Sequence, residues 1–274
     1  MTGPAQPLRE PRLVFGEVAH LYDRRRPSYP AELVDAVLGF ATLEQDTATP
    51  VVEVGAGTGK ASVLFAGRGL RLTCLEPSPA MAAVARQNLA QFPNATVEEL
   101  SFEDWRPQAA AYGLVFAAQS WHWVSPEARY SRAGMALAPG ATLAVFWNVP
   151  VNSGDERLQV DLAAAYGDLL RSARWGTDRA SRVEANNWVV GEIEASGLFE
   201  AGSPTIVRVP WRRSYDTESW LELLSTQSDH RMLDEQTRGA LFERVRDALE
   251  NNGGRMEVEY VTVAYLARSH GGDK

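Results

Sequence analysis

The feature that most constrains this chain is the run Val51-Val52-Glu53-Val54-Gly55-Ala56-Gly57-Thr58-Gly59-Lys60, an apolar strand that breaks into three alternating glycines before a helical pattern begins. A short buried strand turning directly into a helix opens a crossover unit, and crossover units stack into a parallel sheet. Glycines in such a turn let backbone approach a ligand closely, because no Cβ stands in the way. Their spacing separates the turn from two phosphate-binding loops. A dinucleotide fingerprint carries its third glycine one residue later, where Lys60 stands, and a phosphate loop needs G-x-x-x-x-G-K-[ST], whereas Lys60 is followed by Ala61.

The rest of the chain supports an α/β class. Val51–Val54, Arg71–Glu76, Ala95–Leu100, Leu114–Ala118 and Thr142–Trp147 read as strands. Between them, helical patterns span Lys60–Ala66 and Pro79–Phe92, the latter capped by Ser78, and a further helix starts at Pro126 after Ser125 and stops near Pro139-Gly140. After Pro150 the rhythm changes. Asp155–Trp175 is helical and is followed by a polar, arginine-containing stretch, which reads as an inserted helical lobe. Trp188–Ser196 is a helix closed by Gly197, Thr205–Trp211 a strand, Asp216–Leu224 and Asp234–Asn251 helices, and Met256–Leu266 a last strand. The two late strands are expected to complete the first sheet, with the inserted helices over one edge.

Charge narrows the ligand. Glu53 precedes the first glycine by two residues, where a carboxylate repels a pyrophosphate but suits a cation. Glu76, ending the second strand, sits where a carboxylate accepts hydrogen bonds from ribose hydroxyls. A nucleoside with a positive centre is implied, and S-adenosylmethionine has that chemistry. With 27 Lys and Arg against 35 Asp and Glu, the net charge of −8 disfavours nucleic acid and anionic membranes as partners. The lone Cys74 offers no disulfide partner, no zinc-ligand spacing is present, and no apolar run is long enough to span a bilayer, so a cytoplasmic protein without a metal is expected.

As a set, these motifs resemble the class I S-adenosylmethionine-dependent methyltransferases, of the type 11 small-molecule branch. Glu53–Gly59 is similar to that family's first motif and Leu75-Glu76-Pro77-Ser78 to its second; Ser101-Phe102-Glu103-Asp104-Trp105 stands where the family holds adenine, and Gln119-Ser120-Trp121-His122-Trp123-Val124 resembles the stretch after the fourth strand. The resemblance implies a Rossmann-like seven-stranded, mostly parallel sheet with helices on both faces and an antiparallel last strand inserted between the fifth and sixth. It implies cofactor contacts from Tyr22, Arg26, Glu53, Gly55, Ala56, Gly57, Gly59, Glu76, Pro77, Ser101, Phe102, Gln119 and His122. Phe15, Tyr22 and Arg26–Pro30 resemble a cap over the cofactor, giving a capping segment at 1–46, a catalytic domain at 47–268 with a helical lid at about 151–186, and a tail at 269–274.

Several of these residues also have plain structural readings. Trp121, Trp123 and Trp147 are heavy core contributors before they are pocket walls, and Arg24 and Arg25 are most simply a solvated patch. In Thr226-Gln227-Ser228-Asp229-His230 a carboxylate adjoins an imidazole, but adjacent side chains ordinarily diverge, so the pair is read as structural. The function expected is metal-independent methyl transfer to a small-molecule acceptor by a monomer or homodimer, with His122 and Tyr22 as candidate bases. The alternatives are a nicotinamide-dependent oxidoreductase and a protein of the same fold that binds the cofactor without transferring methyl.

Overall fold

The computed structural model describes residues 19–153, 155–167 and 183–270. The chain opens with helices α1 (Ala19–Arg25) and α2 (Ala31–Ala41), then alternates: β1 (Pro50–Val54), α3 (Ser62–Ala66), β2 (Arg71–Leu75), α4 (Pro79–Leu89), β3 (Ala95–Glu98), β4 (Tyr112–Ala118), α5 (Pro126–Ala136) and β5 (Leu137–Ser153). It continues through α6 (Glu156–Tyr166), α7 (Trp188–Ser196), β6 (Thr205–Asp216), α8 (Thr217–Ser225), α9 (Ser228–Arg231), α10 (Glu235–Glu250) and β7 (Arg255–Arg268). One sheet holds all seven strands in the order β3-β2-β1-β4-β5-β7-β6. The first five pair in parallel, while β7 runs antiparallel to both β5 and β6, as expected. From β1 the sheet grows one way through β2 and β3 and the other way through β4 and β5, so the strand order reverses at β1 and β4. In open α/β sheets that reversal leaves a crevice beyond the strands' C-terminal ends.

Both faces are covered, which is why the central strands are apolar runs rather than alternating ones. Val52, Val54, Val115, Val145 and Val263 pack on one face with Tyr130 and Ala133 of α5 and Val189 and Ile193 of α7. Val51, Leu72, Leu114, Phe116 and Phe146 pack on the other with Leu33, Val34 and Val37 of α2 and Phe65 of α3. At the middle of that layer Phe65 and Phe116 stack with centroids 4.2 Å apart, and Phe146 lies 6.1 Å from Phe116. Because α2 belongs to this layer, residues 1–46 are not simply a cap. Among the described residues of that segment, α1 packs apart from the sheet's two layers, with Ala19 and Tyr22 against Met81 and Val84 of α4; Phe15 falls outside the described residues.

Some boundaries moved for identifiable reasons. The helix after Ser125 ends at Ala136, before Pro139-Gly140, because Leu137 already pairs with Tyr112 and β5 bulges before resuming with Thr142 opposite Leu114. Gly140 sits there at φ 76°, so the Pro-Gly pair serves a bulge rather than a helix end. Strand β6 runs to Asp216 in spite of Pro210, since it is an edge strand and pairs only with β7. The outer halves of β6 and β7, with Tyr215, Met256 and Val258, are covered by Leu162 of α6, Trp220 and Leu224 of α8 and Leu241 and Val245 of α10. The inserted lobe thus draws on three separated helices, not on 151–186 alone; most of the Asp155–Trp175 helix beyond Tyr166 lies outside the described residues.

Phe146 is fully buried among Phe65, Phe116 and the edge of Tyr29. Phe146→Ala is expected to cost about 3–5 kcal/mol of stability, read as a lower urea midpoint at unchanged slope; a loss below about 1 kcal/mol would contradict the placement of the core.

Candidate active site

A cavity of about 750 Å³ opens beyond the C-terminal ends of β1 and β4, at the sheet's reversal point. The glycine turn forms its floor. Gly55, at φ 66°, lies so close to β4's exit that an added Cβ would stand 2.6 Å from Cβ of Ser120, whose hydroxyl donates to the Val54 carbonyl. Gly57, at φ 61°, has no atom within 4 Å of the space a Cβ would take, so that space belongs to the cavity it lines. Ala56 also lines the cavity. Gly59 does not. It sits at φ 84°, and the space its Cβ would take lies 3.5 Å from Ala85 of α4, so this glycine serves the turn's conformation and faces the helix rather than the cavity.

Two carboxylates flank the turn. Glu76 is 7% exposed and its two oxygens accept from the backbone N–H groups of Gly57 (2.7 Å) and Ser78 (2.8 Å). Burial raises its pKa above the usual carboxylate value, partly offset by those two bonds. One further lone pair on each oxygen remains for a ligand. Glu53 is 1% exposed and accepts from the Ser62 hydroxyl; burial, reinforced by the nearby Glu76 charge, pushes its pKa to about 8. Pro77 lines the cavity beside Glu76.

Ser101 and Phe102 form the next wall, but the Ser101 hydroxyl is already engaged, donating to Asp104 Oδ2 (2.7 Å) and accepting from the Asp104 N–H (3.1 Å). That hydroxyl thus has one lone pair left for a ligand, and Asp104, which also lines the cavity, keeps Oδ1 outside the bond to Ser101. The signal that marks it is the S-x-x-D spacing, a turn cap that aims the second residue outward. Phe102 is buried against Trp105 and Trp121.

At the end of β4, Gln119 holds φ 62°, an unusual value for a non-glycine residue that concentrates at functional positions; its amide donates to the Asn148 carbonyl at 3.4 Å. His122 Nδ1 accepts from Trp147 Nε1–H at 3.3 Å. Indole nitrogen only donates, so the neutral imidazole carries its proton on Nε2. Burial, then the Arg129 charge, hold the His122 pKa below its usual value. The ring is thus a neutral donor, poorly suited to the base role expected of it. Of the tryptophans, Trp121 is fully buried and Trp147 is packed in the core, whereas Trp123 is 40% exposed and lines the cavity.

The N-terminal residues continue this side, since Asn148 accepts from Gln119 at its carbonyl and donates to the Ser28 carbonyl. Tyr22 and Arg26 both line the cavity, with the Arg26 guanidinium 5.1 Å from the Tyr22 ring centre. Arg26 is held from behind by Thr226, Nε donating to its hydroxyl and Nη2 to its carbonyl, each at 2.9 Å. Arg25 is not a solvated charge but pairs with Glu222 and Ser219 of α8. Asn148 ties the same segment to β5: its amide donates to the Ser28 carbonyl at 3.0 Å while its oxygen accepts from Thr262. Lys60 and Ser228, which also line the cavity, and Asn148, which ties the N-terminal segment to β5 behind it, are not marked by the sequence motifs. Sequence reasoning misjudged Asp229-His230, whose side chains do not diverge: His230 Nδ1 lies 2.7 Å from Asp229 Oδ1 and Nε2 3.0 Å from the Tyr166 hydroxyl. Since His230 is 2% exposed, a structural role still holds.

These observations fit a nucleoside cofactor. The space at Gly57 and the spare acceptor capacity of Glu76 are complementary to a polyhydroxylated ligand. Comparison with known proteins agrees. The profile of a family described as a methyltransferase domain matches residues 51–140. An uncharacterized methyltransferase of Mycobacterium tuberculosis is 30% identical over 272 residues, covering 94% of this chain and 97% of the relative. A probable S-adenosylmethionine-dependent methyltransferase of Saccharomyces cerevisiae is 31% identical over 139 residues, 48% of this chain and 45% of the relative. Among solved structures, a protein assigned as a type II methyltransferase from Anaeromyxobacter dehalogenans shares the fold at a TM-score of 0.62 and 19% identity, covering 90% of this chain and 99% of that one. Phosphoethanolamine N-methyltransferase 2 of Haemonchus contortus, solved with S-adenosylhomocysteine, follows at 0.53 and 13%, covering 93% and 57%. The chain belongs to the class I S-adenosylmethionine-dependent methyltransferases, and S-adenosylmethionine is its cofactor. That membership sets aside the nicotinamide alternative.

Gly57→Ala separates the ligand from the fold. An alanine held in the left-handed region costs about 1–2 kcal/mol, whereas a Cβ projecting into the ligand's space is expected to raise the Kd for S-adenosylhomocysteine at least tenfold by calorimetry. An unchanged Kd would show that the turn does not touch the cofactor.

Proposed function

We propose that this protein transfers a methyl group to a small-molecule acceptor by metal-independent in-line displacement within the cavity at the ends of β1 and β4. The observation that carries the reading is the cavity itself. At about 750 Å³ it has the size of a small-molecule site, and it is walled by the glycine turn, the exit of β4 and the α1 segment. The net charge of −8 opposes a nucleic-acid acceptor. Among the described residues no group of three or more His, Cys, Asp or Glu is arranged to hold a metal ion, and no helix is long and apolar enough to cross a membrane.

When bound, the cofactor supplies an activated methyl on a sulfonium with a neutral leaving group. The chain's residues bind, orient and exclude water. Glu76 takes the ribose hydroxyls; Gly55, Ala56 and Gly57 admit the ligand to the floor; Asp104, Ser101 and the Phe102 backbone meet the adenine edge; Glu53 faces the amino group. Tyr22, Gln119, His122 and Trp123 close the methyl-facing side. Alignment of this kind contributes about 7–11 kcal/mol to a bimolecular step, so a base is not essential. His122, with its proton on Nε2, donates a hydrogen bond to the acceptor rather than removing its proton.

Incubating the protein with S-adenosylmethionine and panels of small molecules, with products read by mass spectrometry, tests the reading: an added CH2 on a small molecule is expected, and methylation confined to protein or nucleic acid would overturn it. The Glu53 assignment has a separate readout. At pH 7 a carboxyl titrating at about 8 is mostly protonated in the free protein, and an ammonium beside it favours the ionised form. Binding of S-adenosylhomocysteine at pH 7 is therefore expected to release a proton, seen in calorimetry as heat that varies with buffer ionisation enthalpy, and Glu53→Gln abolishes it. The same raised value means the unfolded chain loses this proton first, so the free protein loses stability as pH rises from about 4.5 to about 8. Glu53→Gln is expected to flatten that slope in thermal melts.

A further inference from the structure

The walls of the cavity differ in polarity, and the difference identifies a class of acceptor. Every carboxylate in the lining is already committed on the side of the glycine turn and the Ser101 turn: Glu53 to Ser62, Glu76 to two backbone N–H groups, Glu103 to the Ser125 N–H at 2.9 Å, and Asp104 to Ser101. The wall made by Arg26, Gln119, His122 and Ser228 carries no carboxylate. It offers donors instead: a fixed guanidinium, an imidazole whose Nε2 bears the proton because Nδ1 accepts from Trp147, and an amide N–H₂. Among the described residues no carboxylate lies within ion-pair distance of Arg26, and its two bonds to Thr226 leave Nη1 unused. A second cation, Lys60, lines the cavity beside the glycine turn, with Asp23 only at 3.9 Å. The cofactor brings a single carboxylate, so two cations lining one cavity, Lys60 at the turn and Arg26 on the donor wall, leave one for another anion.

We infer that the acceptor is a small carboxylic acid, bound as its carboxylate by Arg26 and His122 and converted to a methyl ester, with Lys60 serving the cofactor's own carboxylate. The inference rests on the methyl-transfer reading. Its chemistry needs no base. A carboxylate oxygen lone pair forms the O–CH3 bond, the S–CH3 bond breaks with its electron pair going to sulfur, and no proton moves. An amine acceptor would need a carboxylate to hold its ammonium and a base to neutralise it, and a neutral hydroxyl would need the base; this wall presents neither. A hydrogen-bonded, preorganised guanidinium also suits a planar carboxylate in geometry as well as charge.

Two measurements test it. In the first, the protein saturated with S-adenosylhomocysteine is titrated calorimetrically with short mono- and dicarboxylates and with their primary amides and amines. Carboxylates are expected to bind at least tenfold more tightly than the matched amides, and Arg26→Gln to remove that preference while changing the S-adenosylhomocysteine Kd less than threefold; Arg26→Lys keeps part of it. Equal binding of amides, or a tenfold loss of S-adenosylhomocysteine affinity in Arg26→Gln with the carboxylate preference intact, overturns the assignment. In the second, the protein is incubated with methyl-tritiated S-adenosylmethionine and the same acids, phenols and amines. Label released as volatile methanol on mild base treatment supports the ester. Label transferred but stable to base overturns the acceptor class and leaves the methyl-transfer reading standing, whereas no transfer to any small molecule overturns both.

Discussion

The arrangement depends on how closely two strand ends approach one another. Gly55 leaves β1 against Ser120, which leaves β4, and the Ser120 hydroxyl closes on the Val54 carbonyl. No side chain fits at position 55, and the left-handed turn it permits aims the Gly57 N–H at Glu76 on the neighbouring strand. Three elements are thereby locked into one geometry: the turn, the second strand's carboxylate and the exit of β4 that carries Gln119 and His122. A ligand placed by any one of them is placed for all three. The sheet's apolar layers, sealed by α2 and α3 on one side and α5 and α7 on the other, keep the strand ends in register.

Electrostatically the cavity is graded. Glu53 and Glu76 are buried on the floor, where burial raises both their pKa values and the presence of one charge opposes the other. A cation bound there relieves that opposition. Across the cavity, Arg26 and His122 present the opposite polarity, each held by a partner of its own, Thr226 and Trp147. The grade runs from acceptors at the floor to donors on the wall of Arg26 and His122.

The part of this that could be read from sequence is the part built from neighbours in the chain. The turn at Gly55–Gly59, the carboxylate closing β2 and the strand-helix alternation are local patterns, and the sheet order followed from the family they resemble. What could not be read is what long-range contacts create. Ser101 lines the cavity as its motif implies, but that its hydroxyl also caps Asp104 is not written in the motif. Gly59 shares the spacing of its neighbours but faces Ala85. His122 looked like a base, and only the indole of Trp147, one strand away, fixes which nitrogen carries the proton. Asp229 and His230 were expected to diverge, and the Tyr166 hydroxyl from a distant helix holds the imidazole in line.

The clamp between Arg26 and Thr226 has a consequence for biosynthesis. The first five strands and their crossover helices occupy the chain up to Ser153, and all the parts of the nucleoside floor are contained in them. The guanidinium near the start, however, finds its hydroxyl only after α8 has emerged, some two hundred positions later. A nascent chain can therefore assemble the floor long before it can assemble the opposite wall, and the compartment is completed only after Thr226 has been made.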